Sequence, residues 1–250
     1  MAVGLLPPET VRPSGPRAPV QRGPSLVGRA RATRAMLTAM FPWLADSSQR
    51  TGRLVLAGAG FVPVSLVAVS CFGLFGLRDM ALYVLLPALL LTAVCLARWR
   101  PSRDIVAQGL LAGLVATAMF DLLRFGFLWL GLTEGDPIPH IGEALRLQPA
   151  WLAGYVWRYL GNGTGLAVAF VALGLRGMRT GVLYGLFVCA GLLVTLLVSP
   201  LGEELLYPLS APSIVMFTGG HLVYGAVLGS LVAKRIQRSE TILVPTSTRS

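Results

Sequence analysis

The sequence predicts an all-α integral membrane protein, a bundle of six transmembrane helices with both termini in the cytoplasm. Two observations favour the membrane class. Of the 250 residues, 54% are hydrophobic and 13% are charged, whereas a soluble domain carries about 25% charged residues. The hydrophobic residues also fall into blocks of about twenty, the length that an α-helix needs to cross roughly 30 Å of hydrocarbon.

The number of spans follows from counting these apolar blocks along the chain. The first two are joined only by the short Arg78-Asp79 connection, which predicts a closed helical hairpin. The predicted transmembrane domain covers residues 54–233, and residues 234–250 form a cytoplasmic C-terminal tail. The six predicted spans are 54–77, 80–97, 105–132, 151–175, 181–199 and 212–233.

The N-terminal segment, residues 1–53, is rich in proline, glycine and arginine. Such a composition buries too little apolar surface to offset its ordering entropy, so we expect a disordered basic tail. Its apolar run, residues 35–45, is too short to span, and Pro42 interrupts it. Because arginines precede it, the run is predicted to lie on the membrane as an interfacial helix or to be a partly ordered tail. An organellar transit peptide is a minor alternative.

The orientation follows from the distribution of basic residues, because cytoplasmic loops are enriched in Lys and Arg. With the N-terminus inside, only Arg78 and Arg146 fall in the outer loops, whereas every other Lys or Arg outside the spans is cytoplasmic. This distribution accounts for the net charge of +10 without a nucleic-acid partner. The single lysine beside twenty arginines is typical of a GC-rich bacterial genome, so we expect the inner (cytoplasmic) membrane of a bacterium. The expected partner is the lipid bilayer, with a membrane complex or a homo-oligomer left open.

A weak internal repeat relates two of the predicted hairpins. The third span opens with GLLAGLVATA at Gly109 and the fifth with GVLYGLFVCA at Gly181, and each is followed by an acidic outer loop and a glycine-containing span. Closely spaced glycines let helices approach one another. The pattern therefore predicts two related hairpins, although chance similarity between apolar helices is the alternative.

Four ionisable residues fall inside predicted spans, where charge is costly and therefore marks candidate functional positions. At 1.5 Å of rise per residue, all four lie roughly 10–15 Å from the outer ends of their helices. We expect a buried network in which Asp121 neutralises an arginine, with either a structural role in helix pairing or a role in binding a small solute, an ion or a cofactor head group. The residues are Asp121, Arg124, Arg158 and His221.

Metal and cofactor sites are only weakly indicated. His140 lies near Asp136 and Glu143 in an outer loop, a combination that could bind a divalent cation, and the outer pair Glu203 and Glu204 is a further weak candidate. A bis-histidine haem is excluded because no second span contains a histidine to face His221. No cofactor is implied by the sequence.

Two fragments, GEELL at Gly202 and FTGGH at Phe217, resemble parts of the intramembrane abortive-infection and CAAX-type proteases. The resemblance implies paired glutamates and a histidine that bind a metal-activated water. The sequence departs from the family pattern because Pro208 replaces the expected arginine, the two motifs lie too close together, and the third, histidine-containing motif is absent.

A second resemblance covers residues 105–233. GLLAGLVATAMFDLLR from Gly109, DPIPHIGEAL from Asp136 and HLVYGAVLG from His221 are similar to small bacterial multi-pass membrane proteins. These proteins have repeated Gly-xx-Ala-Gly hairpins and a terminal His-xx-Tyr-Gly span. The resemblance implies a helical fold in a bacterial cytoplasmic membrane and no particular activity.

The sequence contains no phosphate-binding loop, HExxH motif or GxSxG motif, and no catalytic residue is predicted. We therefore expect a non-enzymatic accessory subunit of a membrane complex. The alternative is a carrier or channel for a small solute or ion that uses the Asp121, Arg124, Arg158 and His221 cluster. A metal-dependent intramembrane hydrolase is a distant third.

Overall fold

The computed structural model describes Met36 and residues 46–133 and 135–243, with side chains up to Lys234 apart from that of Ser48. The predictions for residues 1–45 therefore lie outside the described residues, Met36 excepted. Within the described ranges every regular element is helical, as predicted for an all-α chain. Eight helices follow one another: α1 (Ser47–Ser70), α2 (Leu77–Arg98), α3 (Pro101–Trp129), α4 (Ile138–Ala144), α5 (150–172), α6 (Met178–Val198), α7 (Gly202–Leu205) and α8 (Ala211–Leu243).

Five of these helices, α1, α2, α3, α6 and α8, are long and apolar enough to cross a membrane. Helix α5 occupies the position of the predicted fourth span and is built from three consecutive pieces. An α-helix, Ala150–Val156, leads into a π-helix, Trp157–Gly163, and a second α-helix, Thr164–Ala172. It is not among the five because polar residues such as Arg158 and Asn162 lower its mean hydropathy.

The first span differs from the prediction at both ends. Helix α1 begins at Ser47 rather than at residue 54 and ends at Ser70 rather than at residue 77. Gly73, with φ of 72°, takes the left-handed conformation that commonly ends helices. The apolar loop residues Leu74 and Phe75 extended the hydropathy signal past this break, which is why the sequence placed the end too late.

Glycines set the closest helix contacts in the bundle. Helix α8 packs along α6 and α3, and the Thr164–Ala172 part of α5 packs between α1 and α3. Where α6 meets α8, a Cβ atom at Gly181 would collide with the carbonyl of Gly225. In α3, a Cβ at Gly113 would lie 2.8 Å from that of Ala167. Both predicted hairpins therefore pack through glycines, while the repeat itself stays a prediction.

The longer connections, residues 71–76, 130–149 and 199–210, meet at one end of the bundle, here called the long-loop end. The Leu201 N–H donates to the Cys71 carbonyl at 2.9 Å, which joins two of these loops. Helix α4 packs on the beginning of α5, and Ile138 and Ile141 share an apolar cluster with Trp157. Buried residues of the long connections, such as Ile138 and Ile141, therefore cover the helix ends at the long-loop end.

Candidate functional site

An ion-pair network joins α3 to α5 near the long-loop end. Asp121 is 1% exposed, and its Oδ1 accepts hydrogen bonds from Arg124 Nε at 3.1 Å and from Arg158 Nε at 2.7 Å. A second nitrogen of Arg158, Nη2, completes the ion pair with the same oxygen. Asp121 and Arg124 meet because residues three apart share one helix face. A single carboxylate therefore faces two guanidinium groups.

The loop between α3 and α4 completes the network from above. Arg124 Nη1 donates to Asp136 Oδ1 at 2.5 Å, and Arg124 Nη2 donates to the Tyr155 hydroxyl at 2.9 Å. That hydroxyl donates to Asp136 Oδ2 at 2.6 Å, and the Ile138 N–H donates to Oδ1. Arg124, which is 1% exposed, thus has its charge matched by one helix acid and one loop acid.

The pKa of Asp136 is held below its ordinary value. Burial acts to raise this pKa, but the hydrogen bonds from Tyr155 and from the Ile138 N–H, together with the charge of Arg124, outweigh it. Because these partners favour the ionised form, folding and deprotonation of Asp136 support each other.

Acid should therefore weaken the long-loop end. A carboxyl group with a lowered pKa in the folded state contributes stability that is present above its unfolded pKa, about 3.9, and that is lost as the pH falls through the lower folded value. We expect the thermal midpoint in detergent to fall between about pH 4 and pH 2 more steeply for the wild type than for Asp136→Asn. Equal slopes for the two proteins would contradict this role of Asp136.

His221 is close to this network but is not hydrogen-bonded to it. Its Nδ1 lies 2.8 Å from the Phe217 carbonyl, and because a carbonyl oxygen only accepts, Nδ1 must carry the hydrogen. The imidazole ring packs edge-on against Phe120 with ring centroids 5.1 Å apart. Of the four residues predicted to cluster, the structure joins Asp121, Arg124 and Arg158 and places His221 on the wall of an adjoining cavity.

This cavity has a volume of about 520 Å³, within the range of about 300–1,000 Å³ that small-molecule sites occupy. Helices α1, α3, α4, α5, α6 and α8 line it, and Pro137, Leu206 and Tyr207 from two loops close it at the long-loop end. Most of its wall is apolar. The polar or ionisable side chains on α3, α5, α8 and the 199–210 loop that line it are Thr117, Arg124, Arg158, Asn162, Tyr207, His221 and Tyr224.

The polar part of the wall is rich in hydrogen-bond donors. Arg158 lies over the Phe120 ring, 4.7 Å from its centroid, and Arg124 reaches the same cavity. Among the described residues, no carboxylate lines it. Of the two guanidinium groups that line it, Arg158 is the more accessible, since its side chain is 16% exposed and that of Arg124 is 2% exposed.

Tyr207 is the most informative lining residue. Its side chain is 4% exposed, and the O–H of its hydroxyl has no acceptor among the described residues, because its neighbour Arg124 can only donate to the hydroxyl oxygen. Burial raises the pKa of Tyr207, and the nearby Arg124 guanidinium acts in the opposite direction. A buried hydroxyl without a partner costs free energy, so a donor left unused at the cavity wall points to an acceptor supplied by a ligand.

The metal candidates are either engaged in other contacts or exposed. Asp136 is paired with Arg124, and Glu203 accepts a hydrogen bond from the Leu209 N–H at 3.0 Å. His140, Glu143 and Glu204 are exposed. Throughout the part of the chain that the structure describes, no three His, Cys, Asp or Glu side chains are grouped as a metal ion would require.

Comparisons with known proteins give no guide to the activity: no protein-family model matches the chain, and neither a curated protein nor a solved structure is significantly similar. The site must therefore be interpreted from its own residues. Sequence reasoning missed Tyr207, which follows the short helix α7. No periodicity or charge pattern distinguishes that tyrosine from an ordinary loop residue.

Proposed function

We propose that this chain is a non-enzymatic membrane protein that binds a small anionic solute in the cavity beside Asp121, Arg124 and Arg158. The observation that carries the proposal is the polarity of the cavity wall: two guanidinium groups and the unpartnered Tyr207 hydroxyl face it, and no described carboxylate does. Guanidinium groups recognise carboxylate and phosphate through directional, charge-assisted hydrogen bonds.

A bound anion would complete the hydrogen bonding that the protein leaves unfinished. Arg158 uses Nε and Nη2 on Asp121, which leaves Nη1 without a protein acceptor among the described residues. Tyr207 offers its hydroxyl, and Thr117, whose hydroxyl is also unpartnered, lines the same wall. Donors fixed in place before binding cost little reorganisation, so they favour an acceptor-rich ligand.

Tyr207→Phe tests this proposal because it removes one hydroxyl whose O–H has no acceptor among the described residues. We expect the affinity for hexanoate, measured by calorimetry in lipid nanodiscs, to fall about tenfold or more, as for loss of a hydrogen bond to a charged group. The thermal midpoint should not fall. Hexylamine, which has the opposite charge, should not bind.

Tyr224→Phe is the matched control. The Tyr224 hydroxyl already donates to the Gly163 carbonyl at 2.6 Å, so its loss should lower stability. If Tyr207→Phe lowers stability as Tyr224→Phe does and leaves hexanoate binding unchanged, the hydroxyl is structural and the proposal is wrong.

We also propose six spans with both termini in the cytoplasm of a bacterial cell, α5 being the span that hydropathy alone does not identify. In support, its Thr164–Ala172 part is buried between two of the apolar helices. The Arg53 side chain donates to the carbonyls of Val171 and Ala172, where α5 ends. The long-loop end is then the outer face.

The topology can be checked with fusions. A reporter attached after Arg238 should be cytoplasmic and one inserted at Pro139 should be external, because Lys and Arg are concentrated on the cytoplasmic side. Alkaline phosphatase and a fluorescent protein report the two sides with opposite signals. Reporters that place both positions on the same side would exclude the three crossings proposed between the 130–149 loop and the end of α8, because an odd number of crossings puts the two positions on opposite sides.

No residue in the described part of the chain specifically supports the accessory-subunit function that the sequence led us to expect. Helix α2 contacts mainly α1 and exposes apolar side chains such as Leu89 and Leu90. Lipid covers such a surface as well as a protein partner does, so we base the proposed function on the cavity.

A further inference from the structure

The cavity opens on one side of the bundle only. Helices α1 and α6 both line it but do not pack along their length. All of its exposed lining residues belong to these two helices, whereas those on α3, α5, α8 and the loops are buried or half-buried. The exposed lining residues are Ser65, Phe187, Ala190, Gly191 and Val194.

Contacts at both ends define the opening as a window between the two helices. Towards the middle of the bundle, Phe61 and Tyr184 close the gap, with ring centroids 6.1 Å apart. At the long-loop end, the hydrogen bond from Leu201 to Cys71 ties the ends of α6 and α1 together. Between these contacts the cavity communicates with the apolar side of the bundle, where a membrane supplies lipid chains rather than water.

The cavity is polar at its back and apolar at this window. The donors are Arg124 on α3, Arg158 on α5 and Tyr207 in the 199–210 loop, all buried or half-buried, whereas the lining residues at the window are exposed. The window itself is formed by Phe187, Val194 and the small residues around Gly191. A ligand that matches both parts carries an oxyanion at one end and an alkyl chain at the other.

Gly191 shows that the window is unoccupied by protein. A Cβ atom at Gly191 would meet no other atom within 4 Å, whereas one at Gly185, earlier in the same helix, would collide with the His221 carbonyl. Gly185 is therefore a packing glycine, and Gly191 is a small residue that leaves the window open.

We propose that the ligand is a single-chain amphipath with a carboxylate or phosphate head, held with its head at Arg158 and its tail leaving between α1 and α6. This inference rests on the proposed function and names the ligand class for the same cavity. The volume of about 520 Å³ has room for one head group and a single chain, whose end can leave through the window.

The experiment measures equilibrium binding to the full chain in nanodiscs of zwitterionic phosphatidylcholine, with empty nanodiscs subtracted. The probes are hexanoate, dodecanoate, dodecyl phosphate and dodecanol. We expect dodecanoate, referred to its aqueous concentration, to bind at least tenfold more tightly than hexanoate, because its longer chain leaves water. Dodecanol, which has the same chain without charge, should bind at least tenfold more weakly than dodecanoate. The two acidic heads distinguish a carboxylate ligand from a phosphate ligand.

A bulky residue in the window should distinguish binding of the head group from binding of the alkyl tail. Gly191→Trp should lower dodecanoate binding at least tenfold more than it lowers hexanoate binding, because only the longer chain has to pass through the window. Gly58→Trp is the matched control, since Gly58 is also an exposed helical glycine with no atom within 4 Å of its built Cβ. It should change neither. Ala190→Trp provides a second window variant, and retained hexanoate binding shows that each variant is folded.

The outcomes distinguish the two proposals. If hexanoate binds but dodecanoate binds no more tightly, or if Gly191→Trp affects dodecanoate no more than Gly58→Trp does, the lateral window is wrong and the anion site stands. If neither acid binds, or dodecanol binds as tightly as dodecanoate, the proposed function itself is wrong.

Discussion

Replacing Asp121 with asparagine should lower the free energy of unfolding by about 3–5 kcal/mol, the usual cost of breaking a buried ion pair by removing one partner. Asp121 is the acceptor of both Arg124 and Arg158, and only Arg124 has a second acid, Asp136. The substitution therefore leaves Arg158 with an uncompensated charge near the cavity. Chemical unfolding in detergent micelles measures the change.

A double-mutant cycle identifies the partner. Arg158→Gln in the Asp121→Asn background should restore part of the loss, because the uncompensated guanidinium disappears with it. Glu143→Gln, at an exposed position of α4, is the control and should change stability by less than about 0.5 kcal/mol. Strictly additive effects of the two network substitutions would mean that the Asp121–Arg158 contact contributes no coupling energy.

Gly225→Leu should also lower the free energy of unfolding by several kcal/mol, for a steric reason. A Cβ atom at Gly225 would collide with the Gly181 carbonyl and approach the Val182 Cα to 3.1 Å. Because the clashing atoms belong to the backbone, a side-chain movement cannot relieve the collision, and the whole of α8 must shift away from α6. We expect a loss of about 3 kcal/mol or more, at the upper end for overpacking. Size-exclusion profiles and unfolding in detergent report the loss.

Gly191→Leu, in helix α6, is the matched control because its new side chain enters open space. It should leave stability unchanged or raise it slightly, since leucine favours helix more than glycine does. If both variants lose the same stability, the close approach of α6 and α8 does not explain the glycines.

The sequence predicted the parts of the site that helix geometry controls. The apolar blocks gave the helices, and the rise per residue placed Asp121, Arg124, Arg158 and His221 at similar depth. The i,i+3 spacing put Asp121 and Arg124 on one face. These inferences use only distances along a helix, which do not depend on the tertiary fold.

The loop residues could not be predicted in the same way. Asp136 appeared only as a weak metal candidate, and nothing in the sequence indicated that its loop folds back onto Arg124. Tyr207 was missed because its position depends on the turn after α7. Loop conformation is decided by tertiary contacts, such as the packing of Ile138 and Ile141 against Trp157, and a single sequence does not contain that information in readable form.

The π-helical stretch Trp157–Gly163 determines how far the first part of α5 is rotated about the helix axis relative to the second part. A hydrogen bond from residue i to i+5 encloses one residue more than the α-helical bond, and one residue corresponds to about 100° of rotation. The N-terminal part of α5 can thus aim Arg158 at Asp121, while Thr164–Ala172 presents buried faces to α1 and α3. Deleting any one residue from this stretch would rotate one part of α5 relative to the other by about 100°. Either the Asp121–Arg158 ion pair or the packing of Thr164–Ala172 would then be lost. The length of this stretch is therefore constrained more tightly than the identity of several of its residues.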